Sequence, residues 1–329
     1  MSETAVWAWQ PARRHPHTYP GACPDGSYVV VDDQVHPLGL ARDGDLETAY
    51  AVVNRNRVPV KALLKERDLA PLGDRHVSLA YGANRNPGTL AIKMRDYGYA
   101  NPAGLVLPVL KGATSGRDVV ACGLSGQGYL YADLLPGDDE DDAAPVEAWF
   151  PLLDADQLVV MHDGEHVRDG LYTVASFPSR LDGFGARVDA LGYAGNDPIF
   201  VSPELGEPIA YSTVRVEDRS LPAMDAVGMV DHVLNAGRLC ARASRIAGVT
   251  TTRDIMAFMN ERWWVRFRGE DQPDGRYDQL LGELSRVIAA HQRPHSAAAT
   301  MAQRGRALGV HDAYHPGPGR SLGAQLERA

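Results

Sequence analysis

Two short stretches carry residue types from which a reaction centre can be built. Ser78-Leu79-Ala80-Tyr81-Gly82-Ala83-Asn84 runs from an apolar strand into a tight polar turn, and Glu165 closes a later stretch with helical spacing. Gly82 tolerates positive φ and Asn84 suits a left-handed turn position, so the turn can aim the N–H groups of Gly82, Ala83 and Asn84 at a ligand. Converging N–H groups hold a carboxylate without a charged side chain. Glu165 supplies the complementary chemistry, that of a proton acceptor. The competing readings are a plain β-turn at Tyr81 and, for Glu165, a solvated residue beyond a helix that ends at Gly164.

His162-Asp163-Gly164-Glu165-His166 offers a second chemistry. Histidines at i and i+4 on one helical face can share a metal, which would activate a water. Gly164 loosens that helix, and the spacing differs from the HExxH pattern. A metal-dependent hydrolase using His162 and His166 is therefore the alternative enzyme reading. The acidic run from Gly137 to Asp142 lacks the alternating spacing of a calcium loop and reads as a solvated hairpin tip. Gly123-Leu124-Ser125-Gly126-Gln127-Gly128 matches neither a nucleophile elbow nor a dinucleotide loop.

The elements that must position these residues follow from the hydrophobic pattern. Asp154-Ala155-Asp156-Gln157 has the spacing of a capping box, which starts a helix near Ala155. Leu158, Met161 and Glu165 then fall at i, i+3 and i+7, so the carboxylate continues the apolar stripe. From Val77 to Val216, short β runs bounded by Gly, Pro and Asp predict a small mixed or closed β-barrel. After Leu221 the period changes, and Val227, Val230 and Leu234, then Ile255, Met256 and Met259, then Tyr277, Leu280, Leu284 and Ile288 mark three amphipathic helices. Pro294 closes the last. Ahead of the barrel come a Pro/His/Arg-rich stretch, a β run over residues 27–31 and a helix predicted from Asp45 to Asn54. The predicted division is an N-terminal extension over 1–76, a barrel domain over 77–219, a helical region over 220–294 and a flexible tail over 295–329.

Composition narrows the function class. The 329 residues are 44% hydrophobic with a net charge of -9, and the arginines are scattered, so no basic stripe for a phosphate backbone stands out. Nucleic acid is excluded as a partner on that ground. No apolar run reaches the roughly 20 residues that span a bilayer, and the amino terminus has no signal-peptide core, which predicts a cytoplasmic protein without a membrane partner. Cys23, Cys122 and Cys240 are odd in number and far apart, as expected of free thiols rather than a disulfide framework or metal knuckle.

The order and spacing of three segments resembles the gamma-glutamylcyclotransferase-like superfamily between Val77 and Val216. These are Leu79-Ala80-Tyr81-Gly82-Ala83-Asn84, the run Val146-Glu147-Ala148-Trp149-Phe150 leading to Leu153-Asp154-Ala155-Asp156-Gln157-Leu158, and Glu165 followed by the strand around Tyr172. The loop departs from the family in carrying Ala83 where serine is usual, and Glu165 is followed by His166 where glycine is usual. The resemblance implies an α+β fold with a small mixed β-barrel of this type, flanked by the N-terminal extension and the C-terminal helical region. It also implies a cofactor-independent enzyme that cyclises a small γ-glutamyl amine or amino acid to 5-oxoproline and releases the amine. Glu165 would be the general acid/base, the Gly82, Ala83 and Asn84 N–H groups would hold the polar end of the glutamyl unit, and Tyr81 would shape the loop. Tyr172 and Tyr211 would be hydroxyl donors, or core residues with a polar tip. A non-catalytic ligand- or protein-binding module on the same fold is the reading from another class.

Overall fold

The computed structural model describes residues 4–42, 44–136, 144–270, 275–293 and 296–328. The acidic stretch from Gly137 to Asp142 lies outside the described residues.

The chain opens with β1 (Thr4–Ala5), β2 (Tyr28–Val31), β3 (Gln34–Leu40), β4 (Ala49–Val53) and β5 (Asn56–Pro59). Two tight hairpins build this part. Asp32 and Asp33 have φ of 48° and 61°, and Asn54 and Arg55 have φ of 48° and 67°, the paired left-handed residues of two-residue turns that match strand twist. The helix predicted from Asp45 to Asn54 is absent. One 3-10 turn, Leu46–Thr48, leads into β4, because Tyr50, Val52 and Val53 favour a pleated surface and Asn54-Arg55 closes a hairpin.

Next come α1 (Val60–Glu66), β6 (His76–Val77), α2 (Pro87–Asp96), β7 (Val106–Gly116), β8 (Asp118–Leu124) and β9 (Leu130–Leu135). They are followed by β10 (Ala144–Leu153), α3 (Ala155–Gly164), β11 (Tyr172–Leu181), β12 (Arg187–Gly195), β13 (Ala210–Tyr211) and β14 (Ala223–Met224). The main sheet runs β12-β11-β7-β2-β3-β4-β5, with β10 joined to β7 and β6, and a second sheet runs β14-β13-β8-β9. Pairing therefore does not break at residue 76, since Tyr28 to Val31 lie antiparallel to Val106 to Val109. The fold is mixed α+β with mainly antiparallel sheets, and the ladders among the described residues do not close a barrel.

Period-two alternation along β10 divides two cores. Val146, Ala148, Phe150 and Leu152 join Met229, Val233, Met256 and Leu280. Trp149 and Leu153 instead join Leu90 and Met94 of α2 and Leu158 and Met161 of α3. Among the helices of the first core are α4 (Ala226–Ala236), α5 (Cys240–Ala247), α6 (Thr252–Phe267) and α7 (Arg276–Ala290). None of the described helices is long and apolar enough to cross a membrane.

Residues 295–329, predicted as a flexible tail, fold as α8 (Ala297–Gln303), α9 (Val310–Tyr314) and α10 (Leu322–Leu326) in their described part. Ser296 caps α8, and Ala297, Met301, Ala313 and Leu322 are buried. The run Pro316-Gly317-Pro318-Gly319 lies between α9 and α10.

Candidate functional site

Residues 76–80 lie between β10 and β12: Ala80 bridges Trp149, and Ser78 bridges Leu191 in parallel. The Leu79 N–H donates to Leu191 O at 2.8 Å, and the Ala80 N–H donates to Trp149 O at 2.8 Å. Held on both sides, this strand delivers Tyr81 to the floor of a cavity. The Tyr81 hydroxyl reaches Tyr193 O, and it also lies 3.1 Å from Asp133 Oδ1.

The turn that follows differs from the predicted one. Gly82 has φ of -95° and ψ of -141°, and Ala83–Arg85 form one 3-10 turn, so neither Gly82 nor Asn84 is left-handed. Glycine is needed at position 82 for space: a Cβ there would lie 3.3 Å from Tyr19 Oη. That oxygen in turn accepts the Ala132 N–H at 2.7 Å. Among the described residues no acceptor meets the backbone N–H groups of Gly82, Ala83 or Asn84. All three residues line the cavity.

Glu165 arrives from the opposite side. Asp154 and Gln157 form both halves of the capping box that starts α3, and Glu165 caps the helix's other end with its side chain 15% exposed. Its Oε1 accepts from Asn84 Nδ2 at 2.5 Å and pairs with the Lys93 ammonium. Asn84 thus meets Glu165 through its side chain, and its Oδ1 is buried with no partner among the described residues. Burial pushes the Lys93 amine below the usual lysine range, against the opposing pull of Glu165. Gly164 sits against the Lys93 side chain, where an added Cβ would come within 3.3 Å of its Cδ.

Sequence reasoning missed Lys93. It sits on α2, a helix hidden by the strand-dominated reading of residues 77–216. A signal was present: Thr89 and Lys93 stand at i and i+4 beside Leu90 and Met94, both core residues. Asn86 caps this helix by accepting the Thr89 N–H at 2.9 Å.

The cavity has a volume of about 380 Å³, and Tyr81, Gly82, Ala83, Asn84, Glu165 and Tyr172 all border it. Arg13, Tyr19, Lys93, Gln127 and Trp263 border it as well, none of them among the predicted site residues. Burial raises the Tyr172 phenol well above its ordinary range. Tyr211 is not on the lining. Its hydroxyl donates to Leu130 O and its ring meets the Tyr19 ring edge-on at 5.2 Å, so it supports the wall from behind.

His162 and His166 do not converge. His162 is buried, with Nδ1 3.0 Å from Tyr193 Oη and Nε2 3.0 Å from Ala313 O, so both ring nitrogens have partners. Burial pushes its imidazole down to about 4. His166 lies beyond the helix at φ of 52° and contacts Asp169 at 2.9 Å. Among the described residues no three His, Cys, Asp or Glu side chains cluster as metal ligands would. Cys122 is buried, and its thiol is pushed well above the ordinary range by burial.

No known family, curated protein or solved structure matches the chain.

Proposed function

We propose that the protein is a gamma-glutamylcyclotransferase-like enzyme that converts a small γ-glutamyl compound to 5-oxoproline with release of its amine. One observation carries this reading: Glu165 lines the same cavity as Gly82, Ala83 and Asn84, whose N–H groups meet no acceptor among the described residues. Although the ladders among the described residues do not close a barrel, an isolated bridge brings the strands into a barrel-like circuit, which supports this reading. It passes from β7 to β11 to β12, through the single bridge of Leu191 to Ser78, and back by β6 and β10.

The loop N–H groups take the α-carboxylate of the glutamyl unit. Its ammonium donates to the open Asn84 Oδ1 and to Glu165 Oε2, the oxygen left over when Lys93 and Asn84 engage Oε1. Glu165 removes one ammonium proton, and the freed amine attacks the γ-carbonyl carbon. A C–N bond forms within the substrate, and the tetrahedral centre collapses as the bond to the departing nitrogen breaks. Glu165 returns its proton to that nitrogen and then relays the second proton, shed as the attacking nitrogen becomes the lactam N–H, so the amine leaves as its ammonium ion and no net acid or base is consumed. Holding nucleophile and carbonyl in one molecule gives effective molarities that reach roughly 10⁵ M, so positioning does much of the work. The reading needs no cofactor and places the protein in the cytoplasm, where thiols such as Cys23, Cys122 and Cys240 stay reduced.

Glu165→Gln tests it. The amide keeps the hydrogen bond with Asn84 possible and removes the base, so turnover is expected to fall by about 10²- to 10⁴-fold while the protein still folds. Turnover is read as 5-oxoproline formed and amine released, with thermal melting alongside. Near-wild-type turnover in the folded variant would overturn the role given to Glu165.

A further inference from the structure

Arg13 borders the cavity from a turn between two short 3-10 helices, Val6–Trp9 and Pro16–Thr18, and distant residues fix that segment firmly. Asn86 Nδ2 donates to both Trp9 O and Ala22 O at 2.6 Å, tying its two ends to the N-cap of α2. Between them, Arg13 O accepts from Gln127 Nε2 at 3.1 Å and from Trp264 Nε1 at 2.9 Å. The backbone of Arg13 is therefore clamped by the β8–β9 connection on one side and by α6 on the other.

Its side chain has an unused half. Nη2 donates to Tyr97 Oη at 3.0 Å, and the guanidinium lies 5.2 Å from the centroid of the Tyr97 ring. Nη1 is buried with no acceptor, and among the described residues no carboxylate lies within ion-pair distance of Arg13. The neighbouring cation differs. Lys93 is matched by Glu165, whereas the charge of Arg13 is near enough to push the Lys93 amine further down and is itself unmatched. A buried guanidinium donor without a partner is costly, and a planar carboxylate is the group that best satisfies it. A wall arginine serving only to brace Tyr97 would need Nη2 alone.

We propose that Arg13 binds a carboxylate of the ligand, so that the N-terminal segment sets the specificity of the cavity for an acidic compound. Resting on the cyclotransferase reading, in which the Tyr81–Asn84 loop takes the glutamyl carboxylate, Arg13 receives a carboxylate on the departing half of the substrate.

The test uses γ-glutamyl-alanine and γ-glutamyl-ethylamide, which differ only by that carboxylate. Wild-type protein is expected to favour the alanine compound in kcat/KM. Arg13→Gln should shrink the ratio of the two values by about 10- to 100-fold, the range of a hydrogen bond to a charged group, and Arg13→Lys should restore part of it. Thermal melting of each variant confirms folding, since the clamps on Arg13 use its backbone. A ratio that is the same in all three proteins overturns the proposal and leaves the cyclotransferase reading intact. If neither compound is turned over, calorimetric titration decides: binding that requires both the carboxylate and Arg13 upholds the proposal while the cyclotransferase reading fails. Absence of such binding sinks both.

Discussion

Glu165, which lines the cavity, and Asp133, which lies behind it against Tyr81, are both carboxylates largely withheld from water, and they are stabilised by different means. On the wall where α2 meets α3, Glu165 has a cation: Lys93, itself only 5% exposed at its side chain, pairs with Oε1. On the floor where β9 meets β12, Asp133 has none among the described residues. It is met by the N–H groups of Leu134 at 2.9 Å and Gly195 at 3.0 Å, and by the Tyr81 hydroxyl. Burial pushes Asp133 up to about 7 despite these donors. Hydrogen bonds from neutral donors favour the ionised carboxylate, but at Asp133 they do not offset the loss of its hydration. The floor is thus set up to give up its charge, whereas on the wall Glu165 has a cation beside it.

Removing the cation should have the largest effect. Lys93→Met preserves bulk but leaves Glu165 desolvated and alone, and breaking one partner of a buried pair costs about 3 kcal/mol or more. Chemical denaturation should show that loss. Adding Glu165→Leu should recover part of it, because no stranded charge remains. A double variant as unstable as the sum of the two single ones would show that the pair contributes no coupling.

The floor should be visible in pH dependence. A carboxyl raised from the usual range near 4 to about 7 holds its proton in the folded state where the unfolded chain has lost it. Its contribution to stability is therefore full below about pH 4 and is lost as pH rises through about 7. Protonation also resolves a conflict. Tyr81 has one hydroxyl proton and two acceptors, and a protonated Asp133 can donate to Tyr81 Oη while Tyr81 donates to Tyr193 O. Asp133→Asn cannot ionise, and its amide N–H₂ must face one of the backbone N–H groups, at a cost of about 1–3 kcal/mol. The melting-temperature gap between wild type and variant should be widest near pH 4.5 and narrow toward pH 7.5. A constant gap would remove Asp133 from this account.

Tyr211→Phe is the smallest expected effect. Deleting a hydroxyl that donates to Leu130 O should cost about 1 kcal/mol of stability, and KM should not move because the side chain is behind the wall. A raised KM with an unchanged melting temperature would put Tyr211 in contact with the ligand.

What the sequence revealed tracks the range of the forces involved. The capping box at Asp154 and Gln157 is local, and it starts α3 where its spacing indicates. The apolar periods of α4, α6 and α7 were likewise readable, because a helix face needs only its own residues to be recognised. The strand-dominated reading of residues 77–216 passed over α2, although its opening Pro87 is compatible with helix initiation. With that helix went Lys93, the charge beside Glu165. The segment carrying Arg13 had no period to detect. Its conformation is dictated by Asn86, Gln127 and Trp264, whose proximity exists only in the folded chain. Asn84 shows the same limit at smaller scale: its type was legible as turn-forming, but its amide contact with Glu165 spans 81 positions.

The clamp on the N-terminal segment also constrains the order of events at the ribosome. Arg13 O is held by Trp264, 251 positions later, and Arg14 O by Asn260, 246 positions later. Protein synthesis is vectorial, so Arg13 and Arg14 must wait for α6 to emerge before these hydrogen bonds can form. Contacts this distant in sequence close slowly and late. A nascent chain can build β2 against β7 long before it can seat Arg13. Ligand recognition by that arginine therefore belongs to a chain translated through α6, and an incomplete product cannot compete for the same small molecule through that contact.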